Sequence, residues 1–337
     1  MTAFPRELLG LRYRPGAKSG KNHVESWFMK ANEPDGRRAL WVRCTIFARA
    51  ELPAVAEAWA IAFDRHRGHV AVKSTVALGA ARFAKDALDV DVDGAQLSLS
   101  RARGALSSGR GSLAWDVALG PERAAPIIHF PSLAMYRDAL PPWSKLVTPL
   151  SDALATGAVR VERGADDVET WEIEGWPAMV GHNWGRGNAE LYAWTHCNAW
   201  DVEGLVFEAM SARVRIGPML SPMATSAYVR WKGKSWDLSG VRALTKNRGA
   251  LSLRRWEMTG EDDGLSIACD VAAETDDIVG LHYPNPAGPM THCLNTKLAR
   301  ARLEVRLPGG ETITATSRAA ALEIGTIDTD HGTRMYL

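Results

Sequence analysis

Residues 190–200 alternate with a period of two. Tyr192, Trp194, His196, Asn198 and Trp200 fall on one face of an extended segment, and Leu191, Ala193, Thr195, Cys197 and Ala199 fall on the other. One face is large, aromatic and able to hydrogen-bond; the other is small and mostly apolar. That split suits a strand that lines a pocket on one side and packs tightly on the other, or a well-packed strand whose polar tips reach water. Just before it, Gly181-His182-Asn183-Trp184-Gly185-Arg186 places a glycine pair around a His, an Asn and a Trp. Asn183 there reads as a residue bonding the backbone of a tight turn, with the glycines supplying its dihedrals.

The same period recurs along the chain. It predicts strands over 24–32, 38–49, 56–64, 69–78, 95–102, 111–119, 157–163, 168–175, 188–200, 204–216, 226–232, 250–257, 264–273, 277–283, 299–307 and 311–317. Turn signals separate many of them, including Glu33-Pro-Asp-Gly36, Asp93-Gly94, Lys232-Gly233, Glu261-Asp-Asp-Gly264 and Pro308-Gly-Gly310. In the last hairpin Ala301, Leu303, Val305 and Leu307 face in, and Arg300, Arg302, Glu304 and Arg306 face out. Leu52–Trp59 reads as helix or strand, and Ser151–Thr156 as one short helical turn. Many short strands with regular turns make an all-β chain of barrels or sandwiches.

At 337 residues the chain is too long for one ordinary core. The division is placed near 177, giving domains of residues 1–177 and 178–337 with about eight strands each. The Pro-rich stretch 121–151 is a linker or a cover over the mouth of the first barrel. No internal sequence repeat is evident.

Charge and composition narrow the function. Forty basic residues against 39 acidic ones, a net charge of +1, exclude a nucleic-acid partner. The basic stretches around Arg12-Arg14-Lys18-Lys21 and Lys232-Lys234 read as solvated surface. Thirteen Trp point to an aromatic interior or a ligand face. The start of the chain does not read as a secretory signal, and no window reads as a membrane span. The four Cys are isolated in sequence and suit reduced, buried thiols in a cytoplasmic protein. Thr-His-Cys occurs at 195–197 and 291–293, but neighbours in a strand point to opposite faces, so no metal site is expected. There is no Gly-x-Ser-x-Gly elbow, no phosphate loop and no dinucleotide fingerprint, so no cofactor is implied.

His182-Asn183-Trp184-Gly185, the Trp194 strand after it and the Gly157-Ala-Val-Arg-Val strand before it resemble the tocopherol cyclase and carotenoid hydratase (hydroxyneurosporene synthase) superfamily. Lipocalin-like fungal cyclases of the Diels–Alderase type belong to the same broad group. Glu25-Ser-Trp-Phe-Met-Lys-Ala-Asn with Leu40-Trp-Val-Arg-Cys-Thr resembles the family's opening hairpin. Ser112-Leu-Ala-Trp-Asp116 resembles the strand that closes its first barrel. Tyr283-Pro-Asn-Pro-Ala-Gly with Cys293-Leu-Asn-Thr-Lys-Leu-Ala299 resembles its last quarter. The resemblance implies two lipocalin-like (calycin-type) β-barrels side by side. It spans cyclases, hydratases and proteins without known chemistry, so it fixes no single reaction.

Cyclising or hydrating a prenyl chain needs a strong acid, aromatic faces for a carbocation and control of water. A carboxylic acid in an apolar barrel stays protonated because desolvation raises its pKa. Trp and Tyr faces attract a cation by about 0.5–2 kcal/mol each. Glu208, on the face of Val206 and Met210, is the first candidate acid. Asp116 and Glu25 are others, and each of the three has a competing reading as a rim carboxylate or a member of a buried ion pair, for example with Arg43 or Arg213. His196 is a candidate proton relay. Trp27, Trp41, Trp184, Trp194, Tyr192, Asn183 and Tyr283 are the candidate substrate-lining residues. Lys30 and Tyr283 read as head-group anchors or surface residues, and Arg186 as a weak anion site. Three readings stay open: a cofactor-independent cyclase or hydratase of a hydrophobic isoprenoid or polyketide, with a possible peripheral contact to membrane; a non-catalytic lipocalin-like carrier of a hydrophobic small molecule; and a carbohydrate-active β protein with paired carboxylates.

Overall fold

The computed structural model describes residues 4–16, 22–213, 215–216 and 219–337. Lys18 and Lys21 lie outside the described residues. The chain forms two large antiparallel sheets, each curled around its own apolar core. In the first sheet the strands run side by side in the order 70–77, 55–64, 38–48, 23–32, 167–185, 144–164, 111–119, 101–108 and 95–98, with two short strands beyond. In the second the order is 234–238, 224–231, 206–213, 191–197, 312–326, 291–306, 265–272, 255–262 and 248–251. The two orders are the same. Each unit begins with a four-strand meander, and its last long strand returns to pair with its first. The fold is all-β, two lipocalin-like barrels side by side, as expected. The second barrel repeats the topology of the first although no repeat is visible in the residues.

Two strands are much longer than the pattern suggested. Ser144–Gly164 spans 21 residues and Asp167–Gly185 spans 19. Ser151–Thr156 is therefore extended, not helical. The register of this pair shifts around Pro149, which has no N–H to give the ladder, so the strand bends there without losing its partner. Residue 177 lies inside the second of these strands, and the chain passes to the second sheet between Gly185 and Leu191. Val55–Asp64 is a strand throughout. Val241–Lys246 is an α-helix that the alternation did not signal.

Gly181 and Gly185 sit in the ladder of strand 167–185, opposite Phe28 and Val24 of strand 23–32, so no tight turn forms there. Their role is space. A Cβ on Gly181 would come within 2.3 Å of the Phe28 ring. In the second barrel Gly325 stands opposite Tyr192, and a Cβ there would come within 1.9 Å of that ring.

The barrels meet along the outer faces of strands 23–32, 38–48 and 167–185 on one side and 191–197, 206–213, 291–306 and 312–326 on the other. Phe28, Met179, Trp194 and Ala321 pack together there, with Leu146 and Met210 against them. Trp41, Trp59, Leu281, Tyr283 and Cys293 form a second apolar cluster along the same seam.

Candidate functional site

Strand 191–197 presents Tyr192, Trp194 and His196 to the seam, while Ala193 and Cys197 enter the second barrel's core. His196 and Cys197 thus point apart, as strand geometry requires. Asn198 continues the seam face, bonding Asp152 and the Ala178 carbonyl of the first barrel. The strand ends at Cys197, so Trp200 leaves the pattern and packs against the second barrel's core instead.

Glu208 stands next to His196 on the neighbouring strand and is wholly buried. Its Oε1 accepts from Thr148 Oγ1 at 2.9 Å and from Trp194 Nε1 at 3.0 Å. The same oxygen lies 2.9 Å from His129 Nε2, with both side chains cut off from solvent. Neither Arg43 nor Arg213 is the partner. His129 comes from the Pro-rich stretch, whose strand Ile127–Ile128 pairs with Thr148 and Val147. That stretch is therefore a cover, and it delivers a histidine into the seam. Tyr228 Oη holds the His129 carbonyl at 2.5 Å, and its ring meets the imidazole edge to face.

The electrostatics correct one expectation. Burial pushes the Glu208 carboxyl up, but His129, His196 and the Trp194 N–H outweigh it and hold the group at about 2. Glu208 is a carboxylate, not a neutral acid. His196 is the opposite case. Burial, with Lys30 nearby, lowers its imidazole to about 3. Its Nε2 faces the Ser151 carbonyl at 2.9 Å and therefore carries the proton, so Nδ1 is a bare acceptor. Nδ1 of His196 and Oε2 of Glu208 have no hydrogen-bond partner.

Three lysine and arginine side chains are also buried in the seam. Lys30 Nζ bonds the amide oxygens of Asn32 at 2.9 Å and Asn198 at 3.1 Å, and burial lowers it to about 8. Lys297 bonds Glu323 at 2.7 Å and Asn295 at 2.6 Å, with the Trp41 and Trp194 rings at 5.4 and 5.5 Å. Arg43 bonds Ser26 Oγ at 2.7 Å and lies 4.2 Å above the Tyr283 ring.

The remaining candidates separate. Trp41, Tyr192, Trp194 and Tyr283 reach the seam, and Asn183 lies on its face opposite Leu146. Trp27 and Trp184 do not. They sandwich His182 inside the first barrel, at 4.8 and 4.7 Å between ring centres. His182 there faces Glu25 at 3.0 Å, and Glu25 also accepts from His23 and from the backbone of Arg12 and Tyr13. Burial raises the Glu25 carboxyl, but its histidine partners bring it down to about 2. Every oxygen of Glu25 is engaged, so this cluster ties the N-terminal segment to the barrel. Asp116 is on the outside of the first barrel, more than half exposed and bound to Arg101, because its strand turns Trp115 and Val117 inward. It is not a pocket acid. Arg186 is exposed and stacks on Trp143. Among the described residues no group of three or more His, Cys, Asp or Glu converges to hold a metal. Sequence reasoning missed His129, whose one signal is the apolar run Ile127-Ile128-His129-Phe130 inside an otherwise polar, Pro-rich stretch.

Two repeated lipocalin-like barrels with a polar, aromatic seam between them define a class of two-barrel proteins. Residues 93–326 match the tocopherol cyclase-like family, and the chain belongs to that family. It is 28% identical to an uncharacterised protein of Mycobacterium tuberculosis, Rv0493c, over 86% of this chain and 84% of that one. Solved structures share the fold: an AttH protein of Nitrosomonas europaea, at TM-score 0.56 and 14% identity over 93% of this chain and 98% of that one, and CghA in complex with Sch210972, at TM-score 0.54 and 13% identity over 96% and 97%. No helix among the described residues is long and apolar enough to cross a membrane.

Proposed function

We propose that the seam between the barrels is the active site of a cofactor-independent cyclase or hydratase acting on a hydrophobic isoprenoid or polyketide-type molecule. The observation that carries this reading is the buried His129–Glu208 pair beside the Trp194 ring. An isolated alkene is protonated only by an acid held out of water, and the resulting cation needs aromatic faces and a fixed negative charge. His129, facing an ionised carboxylate, is the group positioned to carry and deliver that proton. Glu208 then stabilises positive charge in the substrate, aided by the Trp194 ring. His196 Nδ1 is a base that takes a proton back, or orients water in a hydration. The catalytic set becomes His129, Glu208 and His196, with Trp41, Trp194, Tyr192, Tyr283 and Asn183 lining the substrate.

A non-catalytic carrier needs the same aromatic surface but no titratable group, and the seam holds several. The carbohydrate reading needs two facing carboxylates in an open groove, whereas Glu208 is closed in and paired with histidine. Substrates of the proposed class reside in membranes. Leu133, Leu140 and Trp143, exposed on the same Pro-rich cover, are where we place a peripheral contact.

The test is incubation with prenylated phenols, carotenoid precursors and linear polyenes, followed by mass spectrometry and by tryptophan fluorescence. A product of altered mass, or of equal mass and altered retention, which disappears in His129→Gln and Glu208→Gln, supports the enzyme. Saturable quenching with unchanged ligand throughout the panel replaces it with the carrier.

A further inference from the structure

The polar groups of the seam are not distributed evenly. At the Glu208 end the unpartnered atoms are the carboxylate oxygen Glu208 Oε2, His196 Nδ1 and the ring nitrogens of His129. At the other end they are donors. Arg43 Nε, Trp41 Nε1 and Asn295 Nδ2 are buried without a hydrogen-bond partner, and the Tyr283 hydroxyl meets only the Cys293 thiol. These groups are adjacent. Arg43 and Trp41 are two residues apart on one strand, Arg43 lies on the Tyr283 ring, and Lys297, which bonds Asn295, sits over Trp41. Native structures rarely leave several buried donors unmatched in one place, since each forfeits the hydrogen bonds it made to water.

The charges are unmatched as well. Glu323 is engaged by Lys297, with its second oxygen taken by the Cys293 thiol. Arg43 has a serine hydroxyl, an aromatic face and the more distant charge of Glu323, which it shares with Lys297. A guanidinium that is 6% exposed and has no carboxylate within ion-pair distance is a costly feature in an empty protein.

We propose that the seam binds a substrate with an anionic head group, a carboxylate or an acidic enol, seated on Arg43 with Trp41, Asn295 and Tyr283. The apolar body then runs past Phe28, Met179 and Trp194, and the reacting end reaches His129 and Glu208. Phe28 is the link: it pairs across the sheet with Arg43 and meets Trp194 edge to face at 5.8 Å, and Trp194 in turn donates to Glu208. A cationic, donor-rich end at Arg43 and a carboxylate-bearing end at Glu208 give the substrate one direction of binding. This rests on the seam being the substrate site.

Tryptophan quenching of the full chain by retinoic acid and by retinol, which share an apolar body and differ in charge, tests it. Wild type is expected to bind the acid about ten- to a hundredfold more tightly, the range of a charge-assisted hydrogen-bonded pair. Arg43→Met should bring the two affinities within about twofold by weakening the acid alone, and Arg43→Lys should keep part of the preference. The ligand-free melting temperature of Arg43→Met should change little, because the burial cost of the cation and its attraction to Glu323 are lost together. Equal binding of acid and alcohol by wild type overturns the head-group seat and leaves the seam as a site. A preference that survives Arg43→Met overturns it too. Binding of neither ligand overturns the seam reading, and the seat with it. If Arg43→Met does not fold, the wild-type ratio and Arg43→Lys decide.

Discussion

His129 Nε2 lies 2.9 Å from Glu208 Oε1, and neither side chain touches solvent. The two residues come from different barrels. The first barrel's cover brings the histidine, and the second barrel's strand 206–213 brings the carboxylate. Neither barrel alone holds the pair, so the proposed site belongs to the seam between them. If the two act together in proton delivery, His129→Gln and Glu208→Gln should each lower turnover by about 10²–10⁴. The double variant should be no slower than the worse single one, because the second change removes nothing that still works. Steady-state rates with a turned-over substrate check this, and fully multiplicative losses would show independent roles.

Acid should destabilise the protein in two stages. His196 is lowered from 6.5 to about 3, so its contribution to stability is complete above pH 6.5 and is lost as pH falls toward 3. Glu25 and Glu208 are lowered from 4.5 to about 2, so theirs is complete above 4.5 and is lost as pH falls toward 2. The melting temperature should begin to fall below pH 6.5 and fall more steeply below 4.5. In His196→Gln the first stage should shrink, and what remains belongs to His69 and His292, whose imidazoles burial also lowers. Calorimetry across pH 2–8 reads both onsets.

Gly325 and Gly181 exist to admit an aromatic ring from the neighbouring strand. Gly325→Ala should cost about 1–3 kcal/mol, because Tyr192 must move out of a packed seam. Combined with Tyr192→Ala, the same substitution should cost much less than it does alone. Denaturant unfolding of the four proteins in this cycle measures the difference, and simple additivity would mean that the ring is not what the glycine accommodates.

Asp116→Asn should change stability by less than about 1 kcal/mol and leave any turnover unchanged, since an exposed ion pair with Arg101 contributes little. A large loss of activity with a normal melting temperature would return Asp116 to the site.

Trp194→Phe keeps a ring against Phe28 and removes the N–H that reaches Glu208. A hydrogen bond to a buried charge is worth about 1.5–3 kcal/mol, so the variant should be destabilised by that order at pH 7. The loss should shrink when Glu208 is Gln. An equal loss in both backgrounds would assign the whole effect to packing.

The alternation along 190–200 was enough to place Tyr192, Trp194 and His196 on one face, the one that meets the seam, and burial of Glu208 followed from Val206 and Met210 beside it. His129 was not legible in the same way. It lies in an irregular segment, where no periodicity says which way a side chain points. Asp116 looked like a pocket acid because Trp115 and its neighbours are apolar, yet the period of two that buries Trp115 is what turns Asp116 out. Trp27 and Trp184 were read as substrate-lining residues, but they are buried around His182 inside the first barrel. Their distance from Glu208 depends on which side of the first sheet they occupy, and a strand pattern names two faces without saying which one meets the second barrel.

The sequence by itself determined most of the strands and of their inward faces, the all-β class and the family, because side-chain alternation and turn chemistry act between near neighbours. The tertiary structure alone decided that Glu208 is a carboxylate beside His129, that His196 is neutral, and that Arg43 has no carboxylate within ion-pair distance. Those properties depend on groups far apart in the chain and on the dielectric around them. Desolvation and a charge a few ångströms away both shift a titration by whole units, and only the packed seam fixes which of the two prevails.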